Sequence, residues 1–244
     1  MRHENRVNFL FHTFLIVITC SHLACSQDFR PTQTPKKPFV INNVAIYKNS
    51  FSADTGKQIV LLQQFVPQIV IDLKYATKNN FTHQVLYKKS IAFGRLKMAN
   101  ALKKINEDLA KSGLGLKVFD AYRPYLITKK MWNLVHDERY AANPATGSGH
   151  NRGAAIDVTL INLSTGEELV MPTGFDNFTE KAHHAYLALP EDAIKNRVLL
   201  RKTMEKFGFV ALETEWWHYS LPNAKQYELL DLSFEQLEKL TIAK

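Results

Sequence analysis

Two short stretches of the chain combine histidines with carboxylates in a pattern that suits metal chemistry. The first runs from Ser148 to Asp157 and contains His150, and the second is Glu215-Trp-Trp-His218. Two neutral imidazoles and one carboxylate, with a fourth position left for water, suit a catalytic Zn²⁺. A further carboxylate beside that water can accept its proton, as metal-assisted hydrolysis requires. The pattern predicts a hydrolytic site with one zinc ion per chain.

The roles within this site follow from the residue types. We expect the metal ligands to be His150, Asp157 and His218, with Glu215 held off the metal as general base. Gly153 lies between the first two ligands, and it permits a sharp bend that turns both side chains toward one point. Glu213 is the rival for the role of base, and its alternative interpretation is a solvent-facing strand residue.

The spacing of the second stretch conflicts with regular strand geometry. Glu215 and His218 are three positions apart, so on a regular strand they would face opposite sides. They can meet at one metal only if a turn or bulge lies at Trp216. Trp216 and Trp217 are expected to pack in the core and to form a wall of the pocket.

Arg123 is the next candidate, in the segment Asp120-Ala-Tyr-Arg-Pro124 at the end of a predicted strand. Its guanidinium could donate to an oxygen that becomes negative during hydrolysis. It could equally form a structural ion pair with Asp120 or Glu107. Its position alone does not decide between these two interpretations.

The elements that must position these residues can be predicted from hydrophobic periodicity. Helices are expected over residues 95–111, 124–137 and 190–207, and strands over 69–75, 116–119, 154–161, 209–212 and 216–221. Mixed helices and short strands, without regular βαβ order, indicate an α+β domain. We expect a small, mostly antiparallel sheet flanked by helices.

Residues 1–26 have the features of an export signal. Arg2 and Arg6 precede an apolar run over residues 9–19, and small residues follow. Leu-Ala-Cys25 is similar to a bacterial lipobox, so lipidation of Cys25 and plain cleavage near Ser26 both remain open. The sequence therefore predicts an exported protein of a bacterium, either periplasmic or anchored to the membrane as a lipoprotein.

The cysteine positions narrow the possible chemistry. Both cysteines, Cys20 and Cys25, fall within the predicted signal. The mature chain would then have no thiol, which excludes a cysteine nucleophile and cysteine-ligated zinc.

The remaining chain is divided by composition. We expect residues 27–54 to form a tether, which begins rich in Pro and Thr, and residues 55–244 to form the catalytic domain.

The formal net charge is +8. The basic residues are scattered and accompany no nucleic-acid-binding motif, so we expect no nucleic-acid partner. Oligomeric state is left open.

The motifs together resemble those of the VanX-type D-alanyl-D-alanine dipeptidases. The resemblance is carried by Ser148-x-His150-x-x-Gly-x-Ala155-x-Asp157, Glu215-Trp-Trp-His218, Asp120-Ala-Tyr-Arg123-Pro, the segment from Asp72 to Phe81, and Gly174-Phe-Asp176 with His183-His184. It spans roughly residues 69–221. It implies the α+β zinc-peptidase fold that is shared with D-Ala-D-Ala carboxypeptidases and the hedgehog signalling domain.

The resemblance also implies site roles. Zinc would be held by His150, Asp157 and His218, Glu215 would be the base, and Arg123 would stabilise the transition state. Asp176 would bind the ammonium of D-Ala-D-Ala, and Ser148 would lie against the dipeptide. His183 and His184 are expected to have a structural or supporting part rather than to bind the metal.

Two other functions remain open from the sequence. One is a D,D- or L,D-carboxypeptidase that cuts longer wall peptides, and the other is a zinc-binding module without catalysis. An exported dipeptidase would meet dipeptides outside the inner membrane. Recycling of wall fragments or scavenging is therefore expected, rather than depletion of a cytoplasmic pool.

Overall fold

The computed structural model describes residues 37–242, which form an α+β domain as predicted. The strands are β1 (Val40–Ile41), β2 (Ile59–Leu61), β3 (Val70–Ile71), β4 (Phe93–Arg95), β5 (Leu114–Asp120), β6 (Ala155–Asn162), β7 (Val210–Leu212), β8 (Glu215–Ser220) and β9 (Leu229–Leu230). The α-helices are α1 (Val44–Ser50), α2 (Leu62–Phe65), α3 (Leu96–Ala110), α4 (Tyr125–Val135), α5 (Glu191–Lys206) and α6 (Phe234–Ile242).

The central sheet has five strands in the order β3-β5-β6-β8-β7. Only the β3–β5 pair is parallel, so the prediction of a small, mostly antiparallel sheet is confirmed. The strands β1 and β9 form a separate parallel pair, and β2 and β4 form an antiparallel pair.

Helix α3 shows how the sequence pattern becomes the core. Its apolar residues Met98, Leu102, Ile105 and Leu109 recur at helical spacing, and all four are buried. Helix α4 begins directly after Pro124, whose ring suits the start of a helix. It ends at Val135, and the next residue, His136, has a φ of 46° that turns the chain into the loop that borders the site.

The folded body begins earlier than predicted, because residues 40–50 are not part of an extended tether. Strand β1 pairs with β9, and α1 buries Tyr47. The Tyr47 hydroxyl accepts a hydrogen bond from the Ile59 backbone N–H at 2.6 Å. A two-residue strand and a seven-residue helix contain too few apolar positions to produce a clear periodic pattern. Composition alone therefore put the boundary too late.

The strand predicted over residues 69–75 is also shorter than expected. Only Val70–Ile71 pairs with β5, and Lys74–Ala76 forms a 3₁₀ turn. This turn buries the Tyr75 ring, which is 3% exposed. Burial of the ring in the core therefore outweighs the strand preference of the β-branched residues before it.

Among the described residues, every helix is too short or too polar to cross a lipid bilayer. The predicted export signal of residues 1–26, including Cys20 and Cys25, lies outside the described residues, as does the first part of the predicted tether.

Candidate active site

His150 lies in a single 3₁₀ turn, His150–Arg152, immediately before β6. Gly153 ends this turn with a φ of 61°, and a Cβ there would lie 2.4 Å from the Ile59 side chain, so only glycine fits. The Nδ1 atom of His150 lies 2.8 Å from the carbonyl oxygen of Ala121. Because a carbonyl oxygen only accepts, Nδ1 carries the proton and Nε2 presents its lone pair to the site.

Asp157 and His218 are direct cross-strand partners on β6 and β8. Paired residues point to the same face of a sheet, with about 4.5–5.5 Å between their Cβ atoms. The His218 Nδ1 atom lies 2.9 Å from Asp157 Oδ1, and its Nε2 atom lies 3.3 Å from Ser220 Oγ. Asp120 on β5 is opposite Asp157 on its other side. Three neighbouring strands thus bring one row of polar side chains to the site.

The three predicted ligand atoms are close enough to share one ion. The Nε2 atom of His150 lies 3.2 Å from His218 Nδ1 and 3.5 Å from Asp157 Oδ2. All three donor atoms lie within 4.8 Å of one another. Tetrahedral zinc with bonds of about 2.0–2.1 Å holds its ligands about 3.3 Å apart. Two imidazoles and one carboxylate at these separations therefore fit zinc with a fourth position open.

The charges of the donor set suit a cation. Burial alone would raise the pKa of the Asp157 carboxyl, but the imidazoles of His150 and His218 hold that pKa well below its usual range. Burial alone would lower the pKa of His150, yet the Asp157 carboxylate raises it. The site thus attracts a proton strongly, and zinc would replace that proton on binding.

Glu215 lines the same cavity as His218 despite their odd spacing. The β7–β8 register shifts here, because Ala211 pairs with Tyr219 whereas the next residue, Leu212, pairs with Glu215. This irregularity is the bulge that the odd spacing required. Burial raises the pKa of Glu215 to about 7, a value suited to proton transfer at neutral pH.

Glu213, the rival base, is not part of this cavity. Its side chain is exposed and pairs with Arg201 of α5, with an Nη2–Oε1 distance of 2.6 Å and an Nη1–Oε2 distance of 3.1 Å. It has the solvent-facing position that was its alternative interpretation.

Arg123 combines the two interpretations that the sequence left open. Its Nε and Nη2 atoms both donate to Asp120 Oδ2, at 3.0 and 2.6 Å, so it does form the ion pair. It also lines the cavity beside the ligands. The other oxygen of Asp120 accepts a hydrogen bond from the Tyr87 hydroxyl at 2.7 Å. Burial would lower the pKa of Arg123, but Asp120 raises it well above the usual range, so the guanidinium stays charged.

All seven predicted site residues border one cavity of about 230 Å³: Arg123, Ser148, His150, Asp157, Asp176, Glu215 and His218. Asp176 enters it from a loop, with a φ of 61°. Burial raises the pKa of this carboxyl to about 7. Ser148 is held by Asn151, whose side chain accepts the Ser148 N–H at 2.9 Å and whose N–H donates to Ser148 Oγ at 3.2 Å.

Trp216 and Trp217 have the positions expected of them, and His183 and His184 lie outside the group of three donors. Trp217 forms a wall of the cavity, and Trp216 is buried and donates to Thr173 Oγ1 at 2.9 Å. His183 accepts a hydrogen bond from Arg197 through its carbonyl oxygen. His184 lies beside Tyr219, outside the group of three donors, and burial lowers its pKa to about 4.

Among the residues that sequence reasoning missed are three that hold parts of the site in place. Asn151 is buried, and its side chain donates to the Arg123 carbonyl oxygen and to Thr128 Oγ1. Tyr75 borders the cavity, and Tyr87 anchors Asp120. Their types and spacing carry no chemical signal. The available pointers were the positions of Tyr75 within the Asp72–Phe81 segment and of Asn151 within the Ser148–Asp157 segment, both of which carried part of the resemblance.

The chain matches known sequences over most of its length. Residues 55–237 match the Peptidase M15 family model, described as D-Ala-D-Ala dipeptidase. The D-alanyl-D-alanine dipeptidase of Escherichia coli strain K12 is 37% identical over 173 residues, which are 71% of this chain and 89% of that protein. The enzymes of the same name from Enterococcus faecium and Enterococcus faecalis are 36% and 33% identical, each over 66% of this chain and 89% and 90% of their own lengths.

Among solved structures, the LdcB LD-carboxypeptidase is similar with a TM-score of 0.41 and 18% identity, over 75% of this chain and 78% of that one. That likeness is too distant to add to the assignment.

Proposed function

The chain belongs to the D-Ala-D-Ala dipeptidase family of M15 peptidases and is a zinc metallopeptidase, and we propose that it hydrolyses the free dipeptide D-Ala-D-Ala in the cavity described above. The observation that carries the proposal is the convergence of two imidazoles and a carboxylate on one point, with a second carboxylate, Glu215, in the same cavity. We assign the zinc to His150, Asp157 and His218.

Bound zinc would act as a Lewis acid and lower the pKa of a water molecule to about 7. Glu215, with a pKa of about 7, would accept a proton from the attacking water and deliver it to the leaving amine. Arg123 would donate to the scissile carbonyl oxygen as negative charge develops there. Its two hydrogen bonds to Asp120 orient the guanidinium before the substrate arrives.

Asp176 would select the dipeptide by pairing with its free ammonium. A carboxylate at this position disfavours peptides that are extended at the N-terminus. In such a peptide an uncharged amide nitrogen takes the place of the ammonium and cannot form the ion pair. Ser148 would lie against the dipeptide, in a position fixed by Asn151.

One observation favours the second candidate, a carboxypeptidase acting on longer wall peptides. A second cavity, of about 750 Å³, adjoins the first and shares Tyr140, Asp176 and Phe178 with it. An N-terminally extended peptide would need such a space. The two candidates differ in how they use Asp176.

The deciding experiment compares D-Ala-D-Ala, L-Ala-L-Ala and a pentapeptide ending in D-Ala-D-Ala as substrates of the zinc-loaded protein. The dipeptidase proposal expects hydrolysis of D-Ala-D-Ala and of neither other substrate. It also expects Asp176→Ala to lose dipeptide turnover. If Asp176→Ala keeps both its dipeptide turnover and its preference for short substrates, the dipeptidase proposal loses its basis.

We also propose that the protein is exported and serves the recycling or scavenging of wall dipeptides. The basic, apolar and small-residue pattern of residues 1–26 supports this proposal. To test this proposal, bacteria that express the full chain are grown with radiolabelled fatty acid and then fractionated. Label that is incorporated into the wild type but not into Cys25→Ser would indicate a lipoprotein, whereas unprocessed protein in the cytoplasm would contradict export.

A further inference from the structure

Tyr75 is a cavity residue to which the proposed mechanism gives no role. It lies in the 3₁₀ turn Lys74–Ala76 and is 3% exposed. Its ring is surrounded edge-on by Phe81, Tyr87 and Phe175, with centroid distances of 6.2, 5.9 and 6.0 Å. Such T-shaped contacts are favourable, and a ring held on three sides has one defined position. The position of its hydroxyl is therefore defined as well.

The Tyr75 hydroxyl lies 3.1 Å from Asp176 Oδ1, to which it donates. The other carboxylate oxygen, Oδ2, accepts the Phe81 backbone N–H at 3.3 Å. Burial raises the pKa of Tyr75 well above its usual range, so the hydroxyl stays a donor at neutral pH. Asp176 has a φ of 61°, a conformation that a non-glycine residue keeps only when its surroundings hold it there. The two hydrogen bonds, one to each carboxylate oxygen, help to keep Asp176 in this conformation.

The face of the same ring contacts the other charged group of the cavity. The guanidinium carbon of Arg123 lies 5.0 Å from the Tyr75 ring centroid, within the range of a cation–π contact. Asp120 accepts hydrogen bonds along one edge of this guanidinium, and the guanidinium lies over the face of the Tyr75 ring. One side chain thus contacts both Asp176 and Arg123.

We propose that Tyr75 is a positioning residue that fixes the separation between the carboxylate that receives the substrate ammonium and the guanidinium at the scissile carbonyl. This inference rests on the roles proposed above for Asp176 and Arg123. In a dipeptide, the ammonium and the scissile carbonyl group are both attached to the same α-carbon, so their separation is nearly fixed. A protein that fixes the matching separation favours an α-amino group directly beside the scissile bond.

The first test is Tyr75→Phe, which keeps the ring and its contact with Arg123 but removes the hydroxyl. We expect KM for D-Ala-D-Ala to rise about tenfold, the effect of one hydrogen bond to a charged group, with kcat within about twofold of wild type. Tyr75→Leu also removes the ring face, and kcat should then fall as well, by about tenfold. The matched control is Tyr47→Phe, which removes a buried tyrosine hydroxyl from α1 and should change neither constant.

The second test separates positioning from a general structural role. N-propionyl-D-alanine has a hydrogen in place of the ammonium and is used as a competitive inhibitor. Because it does not engage Asp176, its inhibition constant should be the same for wild type and Tyr75→Phe. An equal loss of affinity for substrate and inhibitor, or loss of zinc from Tyr75→Phe, would overturn the positioning role in favour of a structural one.

The outcomes also separate this inference from the proposed function. A zinc-loaded wild type that does not hydrolyse D-Ala-D-Ala would refute the dipeptidase proposal and this inference with it. A wild type that is active, with an unchanged KM in Tyr75→Phe, would refute the positioning role alone.

Discussion

Asp157 Oδ1 and His218 Nδ1 lie 2.9 Å apart across the β6–β8 pair, although the two residues are separated by 61 positions in the chain. Their meeting depends on strand register, because a slip by one residue would turn one of them to the opposite face. A site on paired strands is held more rigidly than a site on loops. Strand pairing therefore fixes the positions of two of the three proposed ligands relative to each other.

Replacement of Glu215 by Ala should keep zinc and lose most activity. The side chain is not in the donor group, and general-base catalysis contributes about 10²–10⁴-fold. The measurement is kcat for D-Ala-D-Ala together with zinc per chain. Glu213→Ala is the matched control and should stay active, because Glu213 pairs with Arg201 at the surface. A fully active Glu215→Ala protein would show that the proton-transfer role is wrong.

Replacement of His218 by Ala should lose both zinc and activity. The remaining pair, His150 and Asp157, would offer only two protein ligands, whereas catalytic zinc sites have three. Zinc per chain after dialysis is the measurement. The control is His83→Asn at an exposed histidine, since Asn tolerates the left-handed φ of 53° at that position. Zinc retained by His218→Ala at wild-type level would remove His218 from the ligand set.

Replacement of Arg123 by Lys should lower kcat by about 10²–10³-fold, as loss of a transition-state donor does. Lysine keeps the charge but lacks the planar fork that donates through both Nε and Nη2 to Asp120. Steady-state kinetics with D-Ala-D-Ala measure the effect. Arg139→Lys, at an exposed arginine on the rim of the same cavity, should change kcat little. Equal effects of the two substitutions would contradict a special role for Arg123.

Substrate affinity should improve as the pH rises through about 7. Burial, the largest cause, and the charge of Asp157 raise the pKa of Asp176, while the Phe81 N–H, the Tyr75 hydroxyl and Arg123 lower it, and the net pKa is about 7. Below this pH the carboxyl is neutral and pairs poorly with an ammonium. Above about 8 the substrate begins to lose its own charge, so KM should be lowest near pH 7.5.

The pH dependence is checked by measuring KM for D-Ala-D-Ala from pH 6 to pH 9. The control is Asp176→Asn, whose KM should be higher and nearly constant between pH 6 and pH 7.5. A wild-type KM that does not change over the same range would contradict the proposed ammonium contact.

The elements that could be predicted are those whose pattern is set by one buried face. Helix α3 and the paired strands β5, β6 and β8 all fall within a few residues of their predicted bounds. Helix α5 was found for the same reason, but its apolar stripe of Ile194, Val198, Met204 and Phe207 predicts a buried face that is only partly correct. Val198 is 39% exposed, whereas Arg197 is 2% exposed. A buried arginine is tolerated there because it donates to the His183 carbonyl oxygen, a contact that no periodicity reveals.

The metal ligands could be predicted because zinc demands particular residue types, and the bulge beside Trp216 could be inferred from that demand. The residues that orient Arg123 could not be predicted. Asp120 was considered only as an ion-pair partner, and its anchor Tyr87 acts through a hydroxyl that only the tertiary fold brings within 2.7 Å. Such contacts depend on packing between distant segments, so a tyrosine that orients the site has the same local pattern as one that only fills the core.

The most direct test of the central claim is to measure zinc per chain and release of D-Ala from D-Ala-D-Ala in one preparation, before chelation, after chelation and after zinc is restored. We predict about one zinc per chain, activity that disappears with the metal, and activity that returns with it. Undiminished hydrolysis by the zinc-free protein, or a zinc-loaded protein that leaves D-Ala-D-Ala intact, would contradict the account.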